Sequence, residues 1–148
     1  MTPFAFTVPG TPIPWQRARG RGKLRFSSPE QKAYQDSVRW AALAACPVSL
    51  RSALVKDAGL VWIVALSIAV PNRRRRDADN VQKQIGDALQ GVLWLDDSQI
   101  VEWHVRRIVD AASPRVEVVT VARSSAPAPW SVARMIETLD PNAHRVAA

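Results

Sequence analysis

The sequence predicts one α/β domain of the mixed α+β kind, in which helices pack on a mixed β-sheet, and three observations indicate it. The chain has 148 residues, 47% of them hydrophobic, which suits a single core and excludes a disordered chain. Four segments with the apolar patterns of strands are interrupted by two segments with helical spacing, in the order β-α-β-α-β-β. The longest apolar run has eleven residues, whereas a membrane-spanning helix needs about 20.

Residues 4–8 alternate in side-chain character, which predicts a first strand that ends at Pro9 and Gly10. Residues 12–28 then contain five basic residues and two glycines. That is too much glycine for a helix and too much charge for a core, so we expect a basic loop or an exposed hairpin.

A first helix is predicted from Ser28 to about Cys46. Ser28 can cap it, and Pro29 suits the first helical position. Apolar residues recur at spacings of four and three along this segment, as expected of a helix that packs one face against a core. They are Tyr34, Val38, Ala41 and Ala45.

The segment 60–70 is apolar, rich in β-branched residues and unbroken, which predicts a central strand covered on both faces. After Pro71 and four arginines, residues 79–91 place their apolar side chains on one helical face. This pattern predicts a second helix with a buried stripe. The stripe comprises Val81, Ile85, Ala88, Leu89 and Val92.

Two last strands are predicted at residues 99–109 and 115–122, and we expect them to pair as a hairpin. In the first of them, alternation predicts that the side with Arg107 and four apolar residues faces the core. The apolar residues are Val101, Trp103, Val105 and Val109.

The expected domain organisation is a folded domain over residues 1–123 and a tail over residues 124–148. The tail begins with a Ser/Ala/Pro linker and includes a possible short helix. A single cysteine, Cys46, cannot form an intrachain disulfide, and no export signal is recognised. We therefore expect a cytoplasmic protein without a membrane partner.

The net charge of +7 is unevenly distributed. Residues 77–97 hold five Asp against Lys83 alone, for a charge of −4, so the rest of the chain carries +11. A basic body around an acidic cluster suggests a polyanion bound by the body and cations bound by the cluster. Each charge run taken singly is also compatible with an ordinary solvated face.

Asp77 and Asp79 are two residues apart, and in an extended segment this spacing directs both carboxylates to the same side. Mg²⁺ accepts such ligands, since it needs only one or two protein carboxylates beside a substrate phosphate. Lys83 and Asp87 follow at intervals of four, along one edge of the second helix. The pattern predicts a site where metal and phosphate meet.

Asp96 and Asp97 precede the next strand, and chain reversal after the helix can bring one of them beside the first two aspartates. Three carboxylates and one lysine then form a site for metal-dependent phosphodiester hydrolysis. Simpler explanations stay open for each part: Asp79 as a helix cap, an Asp79–Lys83 pair, and a turn at residues 96–97. The four arginines directly before the cluster favour the metal site.

Other classes of function explain the pattern less well. A non-catalytic DNA-binding module accounts for the basic charge but not for the acidic cluster. A metal-assisted glycosyltransferase also uses a D-x-D motif, but this chain is short for one. A less selective nuclease acting on flaps or forks is the closest rival.

Three motifs together resemble the signature of the RusA family of Holliday junction resolvases. They are R-R-R-R-D-A-D-N-V-Q-K at residues 73–83, D-A-L at 87–89 and W-L-D-D-S-Q at 94–99. The resemblance covers about residues 4–122. It implies a RusA-like nuclease fold for the folded domain, while residues 124–148 lie outside the family core.

By this resemblance the protein is a homodimeric, Mg²⁺-dependent endonuclease that cuts two opposed strands of a four-way DNA junction in recombination and repair. Mn²⁺ is a plausible substitute, and no small-molecule substrate is expected. Asp77 and Asp79 match the family's first two catalytic and metal-binding aspartates, and Asp97 matches the third, with Asp96 as the alternate ligand. Lys83 matches the catalytic lysine, acting on the phosphate or on the attacking water. A bacterial or phage origin is implied.

Two further groups complete the expected site. Trp15 and Phe26 either stack on unpaired bases or anchor the basic loop to the core. Basic residues before and after the first helix are expected to bind DNA phosphates without reading sequence. They are Arg17, Arg19, Arg21, Lys23, Arg25, Arg73, Arg74, Arg75 and Arg76.

Overall fold

A computed structural model describes residues 3–17, 27–48, 51, 57–73 and 78–124. Residues 18–26, 74–77 and 125–148, which include parts of the predicted basic loop, acidic cluster and tail, lie outside the described residues. The predicted order of strands and helices is confirmed. The elements are β1 (Phe4–Pro9), α1 (Pro29–Ala45), β2 (Leu60–Val70), α2 (Ala78–Leu89), a 3₁₀ turn (Asp97–Gln99), β3 (Ile100–Val109) and β4 (Arg115–Ser124).

The four strands form one mixed sheet in the order β1-β4-β2-β3. β4 pairs antiparallel with both β1 and β2, and β3 pairs parallel with β2. β2 is buried along almost its whole length, which confirms it as the central, doubly covered strand. An α+β fold with a mixed sheet and packed helices was expected, and this is the observed class.

The predicted hairpin of the last two strands is wrong, because β3 and β4 lie on opposite sides of β2. The connection 110–114 crosses the end of β2, where the Asp110 N–H donates to the Val70 carbonyl at 2.9 Å. A parallel partner requires a crossover connection, and α2 supplies it between β2 and β3. A short connection therefore joins two strands that are not neighbours.

The prediction for the inner face of β3 is also wrong in part. Trp103 packs against the core, but Val101, Val105 and Val109 are exposed, Val101 by 53%. β3 lies at the sheet edge in the described part of the chain, and Trp62 pairs with Ile100 while Ile63 pairs with Glu102. Val101 is therefore an extra residue in a bulge, and most of the strand extends beyond the cover of the helices.

The main core lies between the helices and one face of the sheet. Trp62, Val64 and Leu66 of β2 pack there with Val38 of α1 and Ile85 of α2. A second, smaller buried cluster lies on the opposite face of the sheet. It consists of Ile63, Ala65, Val119 and Val121.

α1 begins as predicted, since the Ser28 side-chain oxygen accepts a hydrogen bond from the Gln31 N–H at 3.2 Å. Its most buried positions differ slightly from the predicted stripe: Gln31 and Ala42 are buried with Tyr34 and Val38. Ala41 and Ala45 are only partly buried. In the described part of the chain, no helix has both the length and the apolar character to cross a membrane.

A pair of buried glutamines joins the two helices. The Gln31 amide donates to the Gln84 side-chain oxygen at 3.0 Å, and the Gln84 amide donates to the Gln31 backbone carbonyl at 3.1 Å. Both side chains are almost fully buried. Because hydrogen bonds are directional and water is excluded here, this pair fixes α2 against α1 in one register.

Replacing Gln84 by Leu should lower the free energy of unfolding by about 1–3 kcal/mol, because the buried Gln31 amide loses the Gln84 side-chain oxygen as its acceptor. Urea denaturation measures this loss. The double variant Gln31→Leu/Gln84→Leu should lose less than the sum of the two single variants, since no buried donor is left unpaired. Additive losses would show that the two side chains act independently.

Candidate active site

A pocket of about 430 Å³ lies along one edge of α2. Three carboxylates and one ammonium group line it, together with the bulged start of β3. This composition is polar on the α2 side and apolar on the β3 side. The lining residues are Asp79, Gln82, Lys83, Gly86, Asp87, Asp97, Ile100 and Trp103.

α2 supplies most of the polar side chains. Asp79 lies in its first turn, and the intervals of four place Lys83 and Asp87 on the same edge, as predicted. The Lys83 ammonium contacts the Asp87 carboxylate at 3.3 Å. An exposed pair of this kind stabilises a helix by only about 0.3–0.5 kcal/mol, so stability does not account for the arrangement.

Trp15, in the segment that follows β1, contacts one of the residues that line the pocket, Lys83. Its backbone N–H donates to the Asn80 carbonyl in the first turn of α2 at 2.8 Å. Its ring centroid lies 5.2 Å from the Lys83 ammonium nitrogen, within the range of a cation–π interaction. Stacking of Trp15 on a DNA base stays a prediction, and Phe26 lies outside the described residues.

The two adjacent aspartates before β3 differ in their surroundings. The Asp96 side chain caps the 3₁₀ turn and accepts a hydrogen bond from the Ser98 N–H at 3.0 Å. Hydrogen bonds from the Ser98 side chain and backbone lower the pKa of the Asp96 carboxyl. Asp97, in contrast, lines the pocket with Asp79.

Gln99 holds this loop in place, a role that the sequence reasoning missed. Its side-chain oxygen accepts from the N–H groups of Leu95 and Asp96, at 2.7 and 3.3 Å. Its amide nitrogen donates to the carbonyls of Asp57 and Leu60, at 3.1 and 3.0 Å. An Asp followed by Gln three residues later is the pattern of a capping box, and this signal could have identified Gln99.

Three indole rings support the apolar wall of the pocket. The buried Trp94 meets Trp62 edge to face at a centroid distance of 5.6 Å and Trp103 at 6.5 Å. Aromatic pairs in this geometry contribute beyond their buried area. The sequence analysis used Trp94 only as part of a motif, so its place behind the pocket was not anticipated.

The expected DNA-binding residues are only partly described. Arg17 and Arg73 are both exposed, one before α1 and the other three residues after the end of β2. The other predicted DNA-binding residues, and the predicted metal ligand Asp77, lie outside the described residues. They are Arg19, Arg21, Lys23, Arg25, Arg74, Arg75, Arg76 and Asp77.

The donor set of the pocket suits a hard divalent cation, because Asp79 and Asp97 offer carboxylate oxygens and, among the described residues, no sulfur or imidazole ligand lines it. Among the residues that the structure describes, no three His, Cys, Asp or Glu side chains form a group that could hold a metal ion. Asp77, two residues before Asp79, is outside that set.

The chain is similar to known proteins over most of its length. The family model described as Endodeoxyribonuclease RusA matches residues 9–120. The crossover junction endodeoxyribonucleases RusA of Shigella sonnei and of Escherichia coli K12 are each 34% identical over 122 residues, which cover 80% of this chain and 93% of those relatives. A relative of the same name from Enterobacteria phage 82 is 33% identical over the same shares of each chain.

Replacing Gln99 by Ala should lower the free energy of unfolding by about 2–3 kcal/mol, because water replaces only part of its four hydrogen bonds. It should also speed amide hydrogen exchange at Leu95 and Asp96. Gln90→Ala is the matched control, since Gln90 makes one exposed bond to the same loop at 3.3 Å. We expect the control to lose less than about 0.5 kcal/mol; equal losses in the two variants would contradict the assigned role.

Proposed function

Because the chain belongs to the RusA family of endodeoxyribonucleases, we propose that it is a Mg²⁺-dependent nuclease that resolves four-way DNA junctions. The observation that carries the proposal is the pocket in which Asp79, Lys83 and Asp97 meet. Two carboxylates and a cation in one pocket suit phosphodiester hydrolysis, since the carboxylates would repel DNA unless a metal ion bound there. Paired symmetric cuts in two opposed strands would complete the reaction.

Asp79 and Asp97 would hold one or two divalent cations, with Asp77, two residues before Asp79, as the third carboxylate. We favour Mg²⁺ because it accepts one or two carboxylates and keeps the rest of its coordination for water and phosphate. Mn²⁺ accepts the same oxygen ligands. When bound, the ion supplies Lewis acidity toward the scissile phosphate and the attacking water.

Lys83 would donate hydrogen bonds to the non-bridging oxygens of the scissile phosphate. Its ammonium group has three donors and no acceptor, so it suits a group on which negative charge grows during the reaction. About half of the side chain is exposed in the pocket, which leaves it accessible to DNA. Asp96 is used as a cap, so Asp97 is the proposed ligand of the two.

The substrate would be held by the basic part of the chain. Exposed Arg17 and Arg73 would contact phosphates, and the other predicted arginines and Lys23 would extend this surface. Residues 1–123 would form the nuclease domain, with residues 124–148 as a tail. A twofold homodimer would offer two equivalent pockets to a junction that is itself nearly twofold symmetric.

The relatives come from Escherichia coli, Shigella sonnei and a phage, which supports a bacterial or phage origin. DNA recombination and repair in bacteria take place in the cytoplasm, and we propose that location for the protein.

Cleavage of a panel of synthetic DNAs tests the function. With Mg²⁺, the protein should cut a four-way junction at symmetric positions in two opposed strands and cut forks, flaps and linear duplex more slowly. Asp79→Asn should bind the junction in a gel shift but not cut it, because a carboxylate that holds the metal is lost. Equal cutting of flaps and junctions would favour a broader nuclease, and binding without cutting by the wild type would favour a non-catalytic protein.

Asp97 and Asp96 should respond differently to the same substitution. Asp97→Asn should lower junction cleavage by at least about 100-fold, because an amide replaces a metal-binding carboxylate. Asp96→Asn should cleave within about threefold of the wild type, since Asn caps helices as well as Asp does. A severe loss of cleavage by a normally folded Asp96→Asn variant would make Asp96, not Asp97, the metal ligand.

A further inference from the structure

We propose that Trp15 and Asp87 are positioning residues that hold the Lys83 ammonium group in place inside the active-site pocket. The inference rests on the proposed function, since it concerns the lysine that would contact the scissile phosphate. Two contacts carry it: the Trp15 ring centroid at 5.2 Å from the Lys83 nitrogen, and the Asp87 carboxylate at 3.3 Å. They come from different parts of the chain.

Trp15 is itself fixed with respect to α2. Its N–H donates to the Asn80 carbonyl at 2.8 Å, so the backbone of Trp15 is tied to the turn that precedes Lys83. Pro14 restricts the backbone on one side, and Ile13 packs against the main core. The ring is partly buried, and its contact with Lys83 is therefore made from an anchored segment.

Asp87 approaches from the next turn of the same helix. Its side chain is about one-third exposed, and its backbone lies within α2. Lysine has a long flexible side chain whose charge occupies many positions when it is free. One contact with a ring on an anchored segment and one with a carboxylate on the same helix reduce that freedom before DNA binds, which lowers the entropic cost of placing the charge at the phosphate.

Stability does not explain the arrangement. A solvent-exposed i, i+4 ion pair contributes little to folding, and a cation–π contact at an exposed site contributes little more. Both contacts converge on Lys83 of the pocket, so their main effect is on where its charge lies. The two contacts should therefore increase the rate of the chemical step and leave the affinity for DNA unchanged.

Three tryptophan variants test this inference. Trp15→Leu removes the aromatic ring, Trp15→Phe keeps an aromatic face, and Trp40→Leu is the matched control, because Trp40 is 72% exposed on α1. The first readout is the single-turnover cleavage rate of a four-way junction at saturating protein with Mg²⁺. The second is junction affinity in a gel shift with Ca²⁺. The third is the NMR shift of the Lys83 side-chain methylenes, which a nearby ring moves upfield.

Trp15→Leu should lower the cleavage rate roughly fivefold or more with unchanged affinity, while Trp15→Phe recovers most of the rate. The upfield shift of the Lys83 methylenes should disappear in Trp15→Leu and persist in Trp15→Phe and Trp40→Leu. A wild-type rate in Trp15→Leu, an equal loss in Trp15→Phe, or unchanged Lys83 shifts would each overturn the role of Trp15. The NMR readout keeps the test valid if Trp15→Leu is less stable.

Asp87→Asn separates positioning from metal binding. It should lower the cleavage rate at saturating Mg²⁺ and leave the Mg²⁺ concentration for half-maximal rate unchanged. A large increase in the required Mg²⁺ would make Asp87 a metal ligand and overturn its role toward Lys83. If the wild-type protein itself fails to cleave junctions, the proposed function fails, whereas the NMR shifts still report whether Trp15 holds Lys83.

Discussion

The parallel pairing of β2 with β3 is the constraint on which the rest of the structure depends. Two parallel neighbours cannot be joined by a tight turn, so the chain has to cross over the sheet between them, and α2 is that crossover. One edge of α2 thereby comes to lie beside the start of β3. Asp79, Asp87 and Asp97, which the sequence spreads over 19 residues, line a single pocket as a result of this one topological requirement.

Buried polar contacts then set the position of each pocket wall. Gln84 fixes α2 against α1, and Gln99 fixes the loop that carries Asp97 against the beginning of β2. Apolar packing alone tolerates small sliding movements, whereas a buried amide has to meet its partners within a narrow range of distance and angle. The charged side chains of the pocket are exposed or half-buried and contribute little to folding, so the two glutamines supply the rigidity that the charges need.

Local features of the fold were predictable from the sequence, while partners distant along the chain were not. Ser28 and Pro29 predict the start of α1, and the four-residue spacing of Asp79, Lys83 and Asp87 predicts that they share one edge of α2. Both patterns could be recognised because they depend only on near neighbours in the chain. The order of the strands depends on competition between distant segments for β2. The alternation of β3 suggested a buried face, but an edge position and a bulge at Val101 left most of that face exposed.

The candidate site shows the same division. Its motifs were visible in the sequence, yet Trp15 lies 68 residues before Lys83, and no spacing rule connects the two. Gln99 is the last residue of the motif at 94–99, but its four backbone hydrogen-bond partners come from two separate segments of the chain. The resemblance therefore indicated the candidate chemical groups, and only the folded structure identified the side chains that contact them.

The edge-to-face indoles behind the pocket have an optical consequence. Trp62, Trp94 and Trp103 are close enough for excitation absorbed by one ring to pass to the next, so the three behave as a coupled chromophore rather than as separate ones. Trp103 is the member of this group that lines the pocket. Near-ultraviolet circular dichroism and intrinsic fluorescence thus carry a signal from the wall where DNA would lie, and occupancy of the pocket becomes visible without any attached label.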